Sequence, residues 1–373
     1  MTPGDARARR AGVRCAVVAA LLVPVCASAQ GRISNAKTET RAVAQSLERE
    51  VQSVAARGGA TWIGFRAPMV AGPRQMCCYD TLSSAGTCCG QCRLEGGSGV
   101  TMSQGDSRVS LEPPTELLIL ARIEGGAAPQ PAVSSVMRLR TFTPDCDIDA
   151  GGMPLVWLSD VKPEDSVAWL ATLVAGAPES GEPHERVAKP AVAAIAMHNT
   201  AAADRALEAF VAPNRAEWLR AETAFWLGHS RGENGVRLLA RMITQDPSEK
   251  VRDKAAFGLS QSRQPSALKT LIDAARNDTS TRVRGQALFW LAHKAGQQAV
   301  AAITGAIGND PEVEVKKKAV FALSQLPKDE GVPMLIQVAR TNKNADVRKQ
   351  AMFWLGQSKD SRAVKFFEDI LTR

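Results

Sequence analysis

In the second half of the chain the apolar positions follow a helical period, and that pattern itself recurs. Phe225, Phe257, Phe289, Phe321 and Phe353 stand 32 residues apart. Six residues before each comes Leu219, Val251, Val283, Val315 or Val347, and two residues after each comes Leu227, Leu259, Leu291, Leu323 or Leu355. At about 100° per helical residue, Val251, Ala255, Gly258 and Leu259 share one face, and Phe257 lies nearly opposite its centre. Ahead of each such segment runs another apolar helical pattern, as in ALKTLIDAAR and GVPMLIQVAR. Each unit therefore fits two antiparallel helices. A two-helix unit cannot bury both apolar faces alone, so the units are expected to stack into a solenoid. A weaker upstream copy carries Val187 and Ile195 in phase, which makes about six units over residues 161–373.

The first half is patterned differently. Residues 35–57 lack Gly and Pro, and Val43, Leu47, Val51 and Val54 fall at helical spacing. That predicts an amphipathic helix within residues 30–58, ended by Gly58-Gly59. Residues 59–160 alternate short apolar runs with Gly, Pro and Ser, and predict a β-rich unit. Within it, TELLILARIEGG and AVSSVMRLRTF read as a hairpin. Pro163 then opens a helix in PEDSVAWLATLV. At the other end, Arg7, Arg9, Arg10 and Arg14 precede a short apolar run, CAVVAALLVPVC, and the small residues Ala27 and Ala29. Residues 1–29 thus have the form of a secretory signal peptide. The run is too short to span a bilayer and no later segment is long enough, so the expectation is a periplasmic or extracellular protein without a transmembrane helix.

Two polar columns accompany the apolar ones. The first is basic: Arg220, Arg252, Arg284, Lys316 and Arg348. Six residues before each stands Asn214, Asp246, Asp278, Asp310 or Asn342. This Asp-to-Arg step, with the V-R-x-x-A-x-x-x-L pattern, resembles the HEAT-repeat family, in the short bacterial variety named after the phycobilisome lyases. The resemblance covers about residues 163–373. It implies an α-solenoid that serves as a binding scaffold, preceded by the smaller β-rich, Cys-containing domain. It also implies an Asp–Arg ladder tying repeats together through Asp246, Arg252, Asp278, Arg284, Asp310, Lys316 and Arg348, weakened where Asn214 and Asn342 lack the charge. The carboxylates are placed to cap the second helices.

In stacks of this kind the second helices line the inner face. Phe225, Phe257, Phe289, Phe321 and Phe353 then either project into a partner-binding groove or fill the joints between units. Lys250 and Arg282 should lie next to the rings, two turns earlier on the same face, and His229 and His293 one turn after them. Aromatic rings anchor many protein interfaces. The adjacent Trp226, Gly258, Trp290, Ala322 and Trp354 alternate large and small on the buried face, which suits interdigitation.

Composition refines the partner class. The chain has 373 residues, 45% hydrophobic and 23% charged, enough for two or three domains. Residues 187–373 hold 28 Lys or Arg against 19 Asp or Glu. However, the column Lys250, Arg282, Glu314, Asp346 breaks any positive stripe, and export argues against nucleic acid. The expected partner is another protein. Six cysteines follow the leader: Cys77, Cys78, Cys88, Cys89, Cys92 and Cys146. The even number and the oxidising compartment favour disulfides, with a zinc cluster or free thiols as alternatives. DCDIDAGG departs from a calcium loop, with Gly151 one place late and Val156 where Glu is needed. Deoxyhypusine hydroxylase, a HEAT-repeat enzyme, uses several His-Glu pairs, whereas here there is one, His184-Glu185. No G-x-S-x-G is present. A lyase role sits poorly with an exported, Cys-rich front domain. The reading is thus a non-catalytic adaptor without cofactor. The alternative is an enzyme or a small-ligand or metal-binding protein with its site in the Cys-rich domain.

Overall fold

A computed structural model describes residues 32–71, 92–95, 114–125, 135–144 and 146–372. Residues 1–31, where the signal peptide is expected, and Cys77, Cys78, Cys88 and Cys89 lie outside them. Two sheets and two helices come first: β1 (Arg32–Ser34), β2 (Lys37–Ala42), α1 (Leu47–Ala55), β3 (Gly59–Pro68), β4 (Cys92–Arg93), β5 (Glu116–Gly125), β6 (Val136–Phe142), β7 (Asp147–Asp149), β8 (Pro154–Ser159) and α2 (Pro163–Ala175). The larger sheet has the order β2-β8-β3-β5-β6, and the smaller β1-β7-β4. β5 and β6 pair antiparallel as the hairpin reading requires, whereas β8 is parallel to both β2 and β3.

Both faces of the larger sheet are buried, which is why β5 reads as the unbroken run LLILA. Ile63, Phe65, Leu117, Ile119 and Leu158 face α1 and α2, with Phe65 edge-on to Trp169 at 6.0 Å. Trp62, Leu118, Leu120, Phe142, Leu155 and Trp157 face the small sheet with Cys92, Cys146 and Ile148. Gly64 is required here: a Cβ would come 2.8 Å from the ring of Trp157. Cys92 and Cys146 are both disulfide-bonded.

The helix expected over 35–57 is shorter than its pattern. Ser46 caps α1 by accepting from Arg49 N at 3.3 Å, and only Leu47, Val51 and Val54 use the helical spacing. Residues 37–42 instead form β2, edge to edge with β8 in the register Lys37↔Pro154 to Ala42↔Ser159. Thr38 and Thr40 suit a strand, and the partner that makes it one lies over a hundred residues away.

The remainder is helical. A π-helical turn, His184–Ala188, leads into α3 (Lys189–Met197). Then follow α4 (Ala201–Phe210), α5 (Glu217–Ser230), α6 (Gly232–Gln245), α7 (Glu249–Gln261), α8 (Pro265–Asn277), α9 (Thr281–Ala295), α10 (Val300–Asn309), α11 (Val313–Ser324), α12 (Lys328–Thr341), α13 (Ala345–Gln357) and α14 (Ser361–Leu371). Pairs α2/α3 to α12/α13 make six units, and α14 packs on the last pair. The second helices α3, α5, α7, α9, α11 and α13 form one continuous layer. Val251, Ala255, Gly258 and Leu259 are all buried, as the periodicity requires. The sheet joins the solenoid at its first unit. Val70 N donates to Met197 O at 2.9 Å, Asn199 N donates to Pro68 O at 2.9 Å, and one contiguous core runs from Leu47 to Phe366.

Candidate partner-binding surface

The ladder is present, and its geometry crosses the joints. Arg220, Arg252 and Arg284 each reach forward to the carboxylate of the next unit. Their Nε to Oδ2 distances are 2.8 Å to Asp246, 3.0 Å to Asp278 and 2.8 Å to Asp310. The same guanidiniums donate backward to main-chain oxygens of their own unit, as Arg252 Nη1 does to Asp246 O at 3.1 Å. The aspartates are not the helix caps themselves. Asp246 Oδ1 accepts from Ser248 N at 2.9 Å, and Ser248 Oγ then caps α7 through Val251 N. Ser280 and Asn344 do the same for α9 and α13.

The departures from the pattern coincide. The acceptor facing Lys316 is Asn342, so both members of that rung are changed, and Lys316 Nζ reaches only Gly308 O at 3.4 Å. The residue facing Asn214 is Ala188, so no cation is stranded there. Arg348 keeps only the backward half, donating to Asn342 O at 2.8 Å.

Four of the five phenylalanines form a broken stack on the side of the second-helix layer opposite its buried face. Phe225 lies parallel to Phe257 at 5.8 Å, and Phe289 to Phe321 at 5.7 Å. Between these pairs Trp290 packs on Phe257 at 4.6 Å, and after the second Trp354 packs on Phe321 at 4.8 Å. The rings of the first four are half-buried in the joints, whereas Phe353 is 54% exposed. Trp226 is buried as expected. Trp290 and Trp354 are only half-buried, because each tilts onto the phenylalanine of the preceding unit.

His229 stacks on Phe225 at 5.6 Å and His293 packs tilted on Phe289 at 4.2 Å, both exposed. Gln261, Gln325 and Gln357 occupy the same column and are exposed too. Lys250 and Arg282 are exposed, and each is paired with acids of the preceding unit. Lys250 Nζ pairs with Glu217 at 3.0 Å, and Arg282 pairs with Glu249 at 3.7 Å and Asp253 at 3.3 Å, each across a joint. The row ends at Ala193, the first unit's equivalent of the phenylalanines. Beyond Phe225, Trp218 packs edge-on to buried His184 at 4.4 Å. Burial raises the carboxyl of Glu222 above its ordinary value, while Trp226 Nε1 donates to it at 3.0 Å.

Some residues with chemistry were missed. Ser166 Oγ lies 2.9 Å from His198 Nε2, and His198 Nδ1 lies 2.7 Å from Ala194 O, all sealed in the junction of sheet and solenoid. The pair has the polarity of a serine nucleophile and its base but no access for a substrate. Of the aspartates of DCDIDAGG, Asp145 lies outside the described residues and Asp147 and Asp149 lie in β7; Gly151 N and Asn35 Nδ2 donate to Asp149 and hold its carboxyl below its ordinary value. Among the described residues no group of three or more His, Cys, Asp or Glu is placed to hold a metal, and no helix is long and apolar enough to cross a membrane.

Comparison with known proteins concerns the helical half. The family model for HEAT repeats matches residues 206–292, 268–352 and 300–373. No curated protein matches the chain. Among solved structures, YibA of Escherichia coli is similar at 24% identity and a TM-score of 0.32; the match covers 45% of this chain and 64% of that one. Human deoxyhypusine hydroxylase in complex with glycerol is similar at 18% identity and a TM-score of 0.30, over 56% and 79% of the two chains. The complex of CpcE and CpcF of phycocyanin lyase from Nostoc is similar at 20% identity and a TM-score of 0.30, over 56% and 81%. In fold, the chain is a mixed β-sheet carrying Cys92 and Cys146, followed by an α-solenoid of HEAT-like repeats.

Proposed function

We propose that this chain is a non-catalytic, exported scaffold whose second-helix face receives another protein. The observation that carries the reading is the exposed column of His229, Gln261, His293, Gln325 and Gln357 beside a row of phenylalanine rings. Imidazole and amide groups at a regular interval satisfy the main chain of an extended segment, while ring edges receive its side chains. The signal-like leader and the disulfide-bonded Cys92 and Cys146 support an oxidising compartment.

Because four rings also fill joints, the discriminating change is at the exposed one. Affinity capture from the envelope fraction, read by mass spectrometry, should recover a saturable partner with the parent protein. Phe353→Ala combined with Gln325→Ala should lose it while the melting temperature stays unchanged. Equal capture by the double variant would remove this face as the docking surface.

A further inference from the structure

Each second helix ends in main-chain carbonyls that carry the negative end of the helix dipole. In two joints the chain's own cation closes on a pair of them. Arg231 Nη1 donates to Ala196 O at 3.3 Å and to His198 O at 2.7 Å. Lys294 Nζ donates to Ser260 O at 3.2 Å and to Ser262 O. The two acceptor pairs are 64 residues apart, so they are the same position in the first and third units. Burial in the joint lowers the Lys294 ammonium from its ordinary range.

The equivalent oxygens of the second and fifth units, Gly228 O with Ser230 O and Ser324 O with Leu326 O, meet no donor among the described residues. These residues line two clefts, of about 530 Å³ and 280 Å³. One column explains which joints are open: Ser230, Ser262, Lys294, Leu326, Ser358. Lys294 fills its joint with an ammonium, and buried Leu326 fills the next. Ser262 and Ser358 are too short, and the clefts lie beside them. The joint of Ser230 is closed by Arg231, which Asp204 Oδ1 holds through Nε at 3.1 Å. Arg263 stands one unit on from Arg231, but Val236 replaces Asp204, and its exposed side chain is held by no acid among the described residues.

The geometry points to these two clefts as slots for single lysine or arginine side chains presented by a partner protein. The assignment rests on the scaffold reading for its source of cation, and on the sister joints for its chemistry. The carbonyl pair supplies charge-assisted acceptors, and the wall supplies apolar surface for the side-chain stem: in the smaller cleft this is Val332, Leu335 and Trp354. Positive Arg263 and Lys328 at the rims disfavour a polybasic segment and favour one cation in an otherwise neutral or acidic stretch.

The test is an NMR titration of the full chain with Ac-Gly-Lys-Gly-NH2 and with the same peptide acetylated at Nζ. The free-lysine peptide should give saturable amide shifts at residues 228–231 and 324–326, and acetylation should weaken binding about tenfold, the value of one lost charge-assisted hydrogen bond. Ser262→Lys should abolish the shifts at 228–231 alone, because the new ammonium plugs that joint as Lys294 plugs its own. Ser262→Leu, copied from Leu326, is the second plug should the lysine variant fold poorly. Equal shifts from the acetylated peptide, shifts produced by potassium chloride alone, or shifts at 228–231 that survive both plugs would overturn the assignment. So would a lowered melting temperature in Arg263→Ala, which would make Arg263 the resident cation. None of these readouts depends on partner capture, so failure of the scaffold reading and failure of the slots are separable.

Discussion

Asp246 accepts from Arg220 through both carboxylate oxygens and from Ser248 N through one, with both side chains of the pair buried. Removing one member strands the other, so Asp246→Ala should cost about 3–5 kcal/mol in urea unfolding. The broken rung permits the reverse experiment. Lys316→Arg with Asn342→Asp should rebuild it and gain about 1.5 kcal/mol, while neither single change gains stability, because a charge-assisted pair needs both ends. A double-mutant cycle checks that coupling directly. His198 makes a prediction about acid. Burial lowers its pKa to about 4 from the ordinary 6.5, with the hydrogen bond to Ala194 O opposing the shift. The folded state therefore keeps the ring neutral while the unfolded chain binds a proton below 6.5. Stability is fully present above that pH and falls as pH drops towards 4, by an amount of order 3 kcal/mol. His198→Asn should flatten this part of the pH profile of the melting temperature.

At the scale of elements, α5 and α7 touch through glycine. A Cβ on Gly258 would stand 2.3 Å from Ala224 O, and one on Gly228 would stand 1.8 Å from Gly258 O. Helix propensity alone favours Gly258→Ala by about 1 kcal/mol, but a main-chain oxygen can yield only if the helices part, so the change should lower the melting temperature. Gly305, within α10, has no atom within 4 Å of its would-be Cβ, and Gly305→Ala should raise it by the propensity term. These two glycines look alike in sequence; only the neighbouring helix separates them. The same limit explains what could and could not be read from the chain. The repeat helices were legible because one period, 32 residues, aligns caps, core and ladder. The helix boundary at Ser46 was not read, because the uninterrupted run from Asn35 hid the cap. β2 was not legible, because its partner is set by topology. The ring stack was half legible: spacing placed each Phe on a common face, while the tilt of Trp290 and Trp354 depends on the angle between units.

Across the whole molecule, the sheet and the solenoid share one core, so the two halves should not melt separately. β3 runs out against the end of α3, and Arg231 and His198 meet there. The sheet thereby covers the open side of the first unit, as terminal elements of stacked repeats must. The broken ring stack gives this stack a coarser grain than its sequence period. Trp226, Trp290 and Trp354 recur every second unit, as do His229 with His293 and the carbonyl pairs held by Arg231 and Lys294. Excising residues 225–288 would keep helical phase and give Arg220 a new carboxylate in Asp310. It would also put Trp290 over Glu222 and bring Lys294 to the carbonyls that Arg231 now serves. Excising only 225–256 would put Gly258 where Trp226 is buried and leave a cavity. Calorimetry should therefore show the longer deletion melting higher than the shorter one. In terms of chain length, this solenoid is built to grow or shrink by even numbers of units.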